Sequence, residues 1–130
     1  MKKVLFVCIG NSCRSQIAEG FARHFGGKKL EIKSAGIVPA TSVSGKAKQV
    51  MLEKGIDISD QYPKQLKPED VRWADKIIIM GCDVKDPRLD LSSDKIENWS
   101  IDDPIGKTIE EYLEIRDEIE AKIKDLFIRF

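Results

Sequence analysis

This 130-residue sequence withholds most of what announces a protein's class: it has one histidine, three cysteines and no surplus of either charge. Lysine plus arginine number 22, and aspartate plus glutamate also number 22. A chain without net charge has no electrostatic reason to track nucleic acid or an anionic membrane, so neither is expected as a partner. No apolar stretch approaches the roughly 20 residues that span a bilayer. Met1-Lys2-Lys3 runs straight into a short apolar segment with no extended leader-like region, so a cytoplasmic address is expected. Thiols stay reduced there, and an odd number of cysteines is a poor disulfide framework, so the three read as chemistry. At this length the chain is expected to be a single domain, residues 1–130, acting as a monomer and able to bury a core without covalent staples.

What the sequence does have is alternation. Val4-Leu5-Phe6-Val7 and Ile77-Ile78-Ile79-Met80 are continuous apolar runs of the kind that fill strands covered on both faces. Leu30-Glu31-Ile32 and a short piece around Trp99 are weaker strand candidates. Between them Ile17, Ala18, Phe21, Ala22 and Phe25 form a helical stripe that ends at Gly26-Gly27. Ala47, Val50 and Met51 form a second stripe, with Ser44 as N-cap and Gly55 as stop. Pro68 suits the first position of a short helix. Ile109, Tyr112, Leu113, Ile119, Ile123, Leu126 and Phe127 recur at three- and four-residue steps, which predicts a long amphipathic helix. This order predicts an α/β fold, a three-layer sandwich with a small parallel sheet flanked by helices. His24, the lone histidine, falls at the end of the first helix and reads as a surface residue.

The most informative run is Cys8-Ile9-Gly10-Asn11-Ser12-Cys13-Arg14-Ser15, between a strand and a helix. The five residues separating Cys8 from Arg14 can wrap their amides around a tetrahedral oxyanion, with the positive end of the following helix behind them. Cys8 then lies beneath the anion as a nucleophile. Its thiolate is favoured by the helix terminus and by Arg14, and Ser15 can donate to it. Arg14 can hold two anion oxygens in its planar fork. Ile9, Gly10, Asn11, Ser12, Cys13, Arg14 and Ser15 are the candidate anion-binding loop. In it Gly10 is expected to permit close backbone approach and Asn11 to adopt a left-handed conformation. A covalent adduct also needs an acid for the departing oxygen, and Asp103, stiffened by Pro104 after the last predicted strand, is the candidate.

These motifs resemble the low-molecular-weight protein tyrosine phosphatase superfamily, including its thioredoxin-coupled arsenate reductase branch. Ser34-Ala35-Gly36 and Gly55-Ile56-Asp57-Ile58-Ser59 match intermediate landmarks, so the similarity runs through the whole chain. The resemblance implies a four-stranded parallel sheet, a nucleophile at Cys8, an oxyanion-binding Arg14 and a general acid at Asp103. Two branches stay open. The phosphatases usually carry aromatic residues after Asp-Pro, where this chain has Ile105-Gly106-Lys107, and Tyr62 lies in a separate loop. The run from Asn98 to Lys107 is more similar to the reductases. In that branch a second cysteine after the third strand attacks the arsenic adduct and releases arsenite. Met80-Gly81-Cys82-Asp83 falls in that region, with Gly81 expected to let the segment move.

Arsenate reduction is thus expected, with phosphotyrosine hydrolysis through a phosphocysteine as the alternative. The implied partners are an arsenate- or phosphate-type oxyanion and a thioredoxin- or glutaredoxin-like reductant, and no cofactor is expected. Reductases with a three-cysteine relay have another cysteine near Cys82, where this chain has Met80, Asp86 and Leu89. Cys13 is left as a packing residue or as a partner of Cys8 in a protective disulfide. Some reductases hold potassium on residues matched by Asn11, Glu19 and Ser34. Here Lys64 replaces the remaining carboxylate, so its ammonium is expected to fill the place and no metal is expected.

Overall fold

A computed structural model describes residues 2–129. Strand β1 (Lys2–Cys8) leads through the site loop into helix α1 (Arg14–Gly26), and a 3-10 turn at Gly27–Lys29 delivers the chain to β2 (Leu30–Gly36). Helices α2 (Gly45–Leu52) and α3 (Pro68–Trp73) precede β3 (Lys76–Ile79), β4 (Ile96–Asn98) and the long α4 (Ile109–Arg129). The four strands form one parallel sheet in the order β2-β1-β3-β4, flanked by helices as the alternation predicts. Ser44 caps α2 by accepting from the Ala47 amide at 3.3 Å, and Pro68 opens α3.

Val4 to Val7 and Ile77 to Met80 are buried, which is why these runs lack polar alternation. β2 extends four residues beyond the apolar Leu30–Ile32 seed because β1 offers a continuous ladder up to the Cys8–Gly36 pair. Trp99 lies just past β4, buried against Phe6, with its indole N–H on Glu97 at 2.7 Å. His24 is an exposed residue of the last turn of α1, edge-on to Phe25. No helix among the described residues is long and apolar enough to cross a membrane.

Chain order and spatial order disagree at one place, and that place matters. β1 is an interior strand, so the chain leaves it toward β2 on one side and returns to β3 on the other. Such a switch point opens a crevice at the carboxyl ends of the strands, and Cys8 is the last residue of β1.

The β4 end is fastened to α4 by charge. Arg129 holds Glu97 with two bonds, at 3.0 and 2.9 Å, and Lys76 lies 3.2 Å away. Arg129, with help from the Trp99 N–H and Lys76, pulls the Glu97 carboxyl down to about 2 from its usual 4.5. A depressed carboxyl stabilises the fold above its unfolded value and loses that contribution as pH falls through its folded value. Glu97→Gln is therefore expected to lose about 1 kcal/mol at pH 7. Urea unfolding should show the gap between variant and wild type closing from pH 4.5 towards 2.

Candidate active site

The loop between β1 and α1 folds inward because its backbone is tied on three sides. The amides of Val38 and Ala40 donate to the Ile9 and Gly10 carbonyls, both at 2.9 Å, and Ser44 donates to Ser12 at 2.9 Å. Asn11 adopts φ 49°, the left-handed conformation expected of it. Its side-chain oxygen accepts from the Lys64 amide at 2.9 Å, and its amide group donates to Ser15 at 2.7 Å and Ser34 at 3.0 Å. Gln16 adds a brace by donating to the Asn11 and Tyr62 carbonyls.

The glycine this packing requires is Gly36 rather than Gly10. A Cβ on Gly10 would come no nearer than 3.4 Å to any neighbour, whereas one on Gly36 would lie 2.8 Å from the Ile9 carbonyl and 2.9 Å from Asn11. The β1–β2 register, invisible in the local sequence, puts Gly36 beside Cys8.

A chain of hydrogen bonds runs from Glu19 towards the Cys8 sulfur. A carboxylate only accepts, so Ser34 donates to Glu19 at 2.5 Å and its oxygen is left to receive Asn11. Asn11 spends its other N–H on Ser15, and the Ser15 proton is then free for the Cys8 sulfur at 2.9 Å. The Asn11 backbone N–H points at the same sulfur from 3.2 Å. Cys8 is buried, and the Asn11 amide and the Ser15 hydroxyl both lie within hydrogen-bond reach of its sulfur.

Buried Glu19 is itself held by Arg23 at 2.9 Å and faces the Lys64 ammonium at 3.7 Å. Burial lowers the Lys64 pKa, while Glu19 works in the opposite direction. Lys64 thus puts its ammonium beside the carboxylate that a cation would need, and the residues do not fit a bound potassium ion. Among the described residues no three histidine, cysteine, aspartate or glutamate side chains group as metal ligands.

Arg14 heads α1 and is only 2% exposed. Its guanidinium bonds Asp83 through both terminal nitrogens at 2.9 Å and reaches the Ile101 carbonyl at 3.0 Å. Burial opposes its charge, but Asp83, the Cys8 sulfur and Asp103 together hold its pKa above the ordinary value. Asp83 was not foreseen from the sequence. The signal for it was an acidic residue shortly after β3, a strand whose end pairs beside the loop. Gly81 has a steric task at this site: a Cβ there would collide with the Arg14 guanidinium, the Asp83 carboxylate and the Ile101 carbonyl.

Asp103 comes to the site as expected, its carboxylate 3.9 Å from Arg14 and oriented by the Ile105 amide at 3.0 Å. Ile105 is exposed, Gly106 adopts φ 78°, and no aromatic ring occurs between Asp102 and Lys107. Cys82 is exposed on the neighbouring turn, where it donates to Ser100 at 3.5 Å and accepts from Asn98 at 3.6 Å. Cys13 is buried, with its sulfur 3.4 Å from the Tyr112 hydroxyl, and all three cysteines are free thiols. Burial raises Tyr112 to about 12, and its contact with Cys13 pushes in the same direction.

A thiol sulfur supplied with donors, beside an arginine and a carboxylic acid, suits enzymes that form covalent adducts with oxyanions. Known proteins locate the chain within that class. The family model for low molecular weight phosphotyrosine protein phosphatase matches residues 3–130, and the chain belongs to that family. It is 35% identical over 130 residues to a glutaredoxin arsenate reductase of Synechocystis, covering 99% of this chain and 98% of that one. An arginine phosphatase from Geobacillus stearothermophilus superposes with a TM-score of 0.88 at 35% identity, over 97% of this chain and 90% of the other. An arsenate reductase in its phosphate-binding state gives 0.85, also at 35%, over 99% and 98%. The chain is an enzyme of the arsenate-reducing or phosphatase type.

Gly36→Ala tests the loop packing. The added methyl meets backbone atoms, which cannot step aside, so Asn11 must shift away from the Cys8 sulfur. Phosphate binding, measured by isothermal titration calorimetry, should weaken about tenfold or more, and stability should fall by about 1–3 kcal/mol.

Proposed function

We propose that the protein is a thiol-dependent arsenate reductase of the reducing cytoplasm, acting as a monomer. The observation that carries this reading is an exposed Cys82 one residue from Asp83, the carboxylate on Arg14. A second accessible thiol can supply, together with Cys8, the two electrons that reduction requires. The non-aromatic bank at Ile105-Gly106-Lys107 adds support, because a phosphotyrosine ring gains from large π surfaces.

The Cys8 thiolate attacks arsenic while Arg14 and the loop amides hold the remaining oxygens. Asp103 protonates the departing oxygen, which leaves as water. The Cys82 thiolate then attacks the Cys8 sulfur. A sulfur–sulfur bond forms, the sulfur–arsenic pair of electrons passes to arsenic, and arsenite leaves. A thioredoxin- or glutaredoxin-like dithiol returns the disulfide to two thiols. A disulfide needs Cα atoms within about 7 Å. Closing it requires Cys82 to leave Ser100 and Asn98.

That outward orientation of Cys82 favours a second reading, a phosphatase hydrolysing phosphotyrosine. Cys8 would form a phosphocysteine. Asp103 would first protonate the tyrosine oxygen and then take a proton from the hydrolytic water.

Incubating the reduced protein with arsenate and mapping disulfides by mass spectrometry separates the two. A Cys8–Cys82 bond that depends on arsenate and disappears in Cys82→Ser is expected. Fast aryl-phosphate hydrolysis with no such bond would assign the protein to the phosphatases. In either case Cys8→Ser should abolish turnover while retaining phosphate binding by calorimetry, and turnover surviving in that variant would remove the nucleophile.

A further inference from the structure

The donors of Arg14 can be counted. A guanidinium has five N–H groups, all donors and none acceptors. One Nη1 proton goes to Asp83 Oδ1 and the other to the Ile101 carbonyl, and one Nη2 proton goes to Asp83 Oδ2. Three donors are thus engaged at the far end of the group. The remaining two, Nε–H and the second Nη2–H, lie along a single edge and form the side-on fork that matches two oxygens of an oxyanion. Asp103, at 3.9 Å from Nη2, is beyond hydrogen-bond reach and does not consume that edge.

The turn that carries Asp83 is itself fixed. The Met80 amide donates to Val7 of β1, the Ile101 amide donates to Met80, and the Val84 amide closes the turn on Gly81, at 2.9, 2.9 and 3.1 Å. Gly81 has no side chain to separate the turn from the guanidinium.

Resting on the oxyanion reading above, we propose that Asp83 is a positioning residue for anion recognition. It holds the end of the Arg14 guanidinium so that the Nε–Nη2 edge stays presented to the oxyanion beside Cys8. A half-exposed carboxylate so close to an anion site also admits the opposite role. It could compete with the incoming anion for Arg14, and the two roles predict opposite signs.

The test is inorganic phosphate binding by calorimetry in the reduced wild type, Asp83→Asn, Asp83→Ala, Arg14→Lys and the Arg14→Lys/Asp83→Ala pair. A positioning role predicts a dissociation constant raised about tenfold or more in Asp83→Ala, by analogy with loss of a charge-assisted pair. Asp83→Asn, which keeps one acceptor, should fall between it and wild type. In the Arg14→Lys background the alanine change should add nothing, since an ammonium has no edge to orient. Asp83 variants that bind phosphate as tightly as wild type, or tighter, would overturn the proposal in favour of competition. An equal loss in both backgrounds would reduce Asp83 to general support of the fold. If Asp83→Ala does not fold, Asp83→Asn decides by the same sign, with KM for an aryl phosphate expected to rise while kcat changes less. A wild type that binds neither phosphate nor arsenate would instead overturn the oxyanion reading itself.

Discussion

A guanidinium buried at the end of a parallel sheet must find acceptors, and the segments after β3 and β4 are arranged around that constraint. An unpaired buried charge costs several kcal/mol, so Arg14 needs partners within the chain itself. Asp83 and the Ile101 carbonyl meet the cost permanently from one side. Both come from segments that follow β3 and β4, while Arg14 follows β1. The pairing therefore exists only when those strands are assembled side by side. On the proposed role of Arg14, fold stability and anion recognition share the same bonds.

The thiol side of the site solves a related problem with neutral groups. Glu19 fixes the direction of a chain of hydrogen bonds through Ser34, Asn11 and Ser15 that ends on the Cys8 sulfur. With the Ser34 proton committed to the carboxylate, Asn11 donates to both serines, and the Ser15 hydroxyl proton is left available to the sulfur. The ion cluster of buried Glu19 with exposed Arg23 and half-buried Lys64 is thus remote from the sulfur yet connected to it. Lys64 brings a cation that belongs to the chain itself, so the polarity of the relay needs no bound ion.

The two thiols outside the loop's floor occupy contrasting environments. Cys13 is walled in beneath the loop against Tyr112, where it fills space. Cys82 stands in the open on a turn pinned to both neighbouring strands, with Ser100 and Asn98 as its partners. Any chemistry joining Cys82 to Cys8 involves a change of conformation close to the Asp83–Arg14 fork. Reduction and anion release would then meet at one turn of chain.

Much of this was legible in residue order. Apolar runs of strand length, helical stripes, Ser44 and Pro68 at helix starts, and the Cys8-to-Arg14 spacing depend on neighbours within a few positions, and the structure reproduces them. Asn11 in the left-handed region and Ser15 beside the sulfur are of the same local kind. What the order of residues could not decide was which groups meet across the sheet. The register that sets Gly36 against the loop, the turn that sets Gly81 and Asp83 against Arg14, and the outward placement of Cys82 join positions up to 69 residues apart. A spacing rule reads the period of a helix or a strand, but a strand order of β2-β1-β3-β4 is chosen by collective burial of the core. Residue order alone specifies the Cys8-to-Arg14 loop and its α/β setting. Assembly of the strands side by side sets which carboxylate holds the arginine and where Cys82 lies, because those partners are brought together by the fold rather than by spacing along the chain.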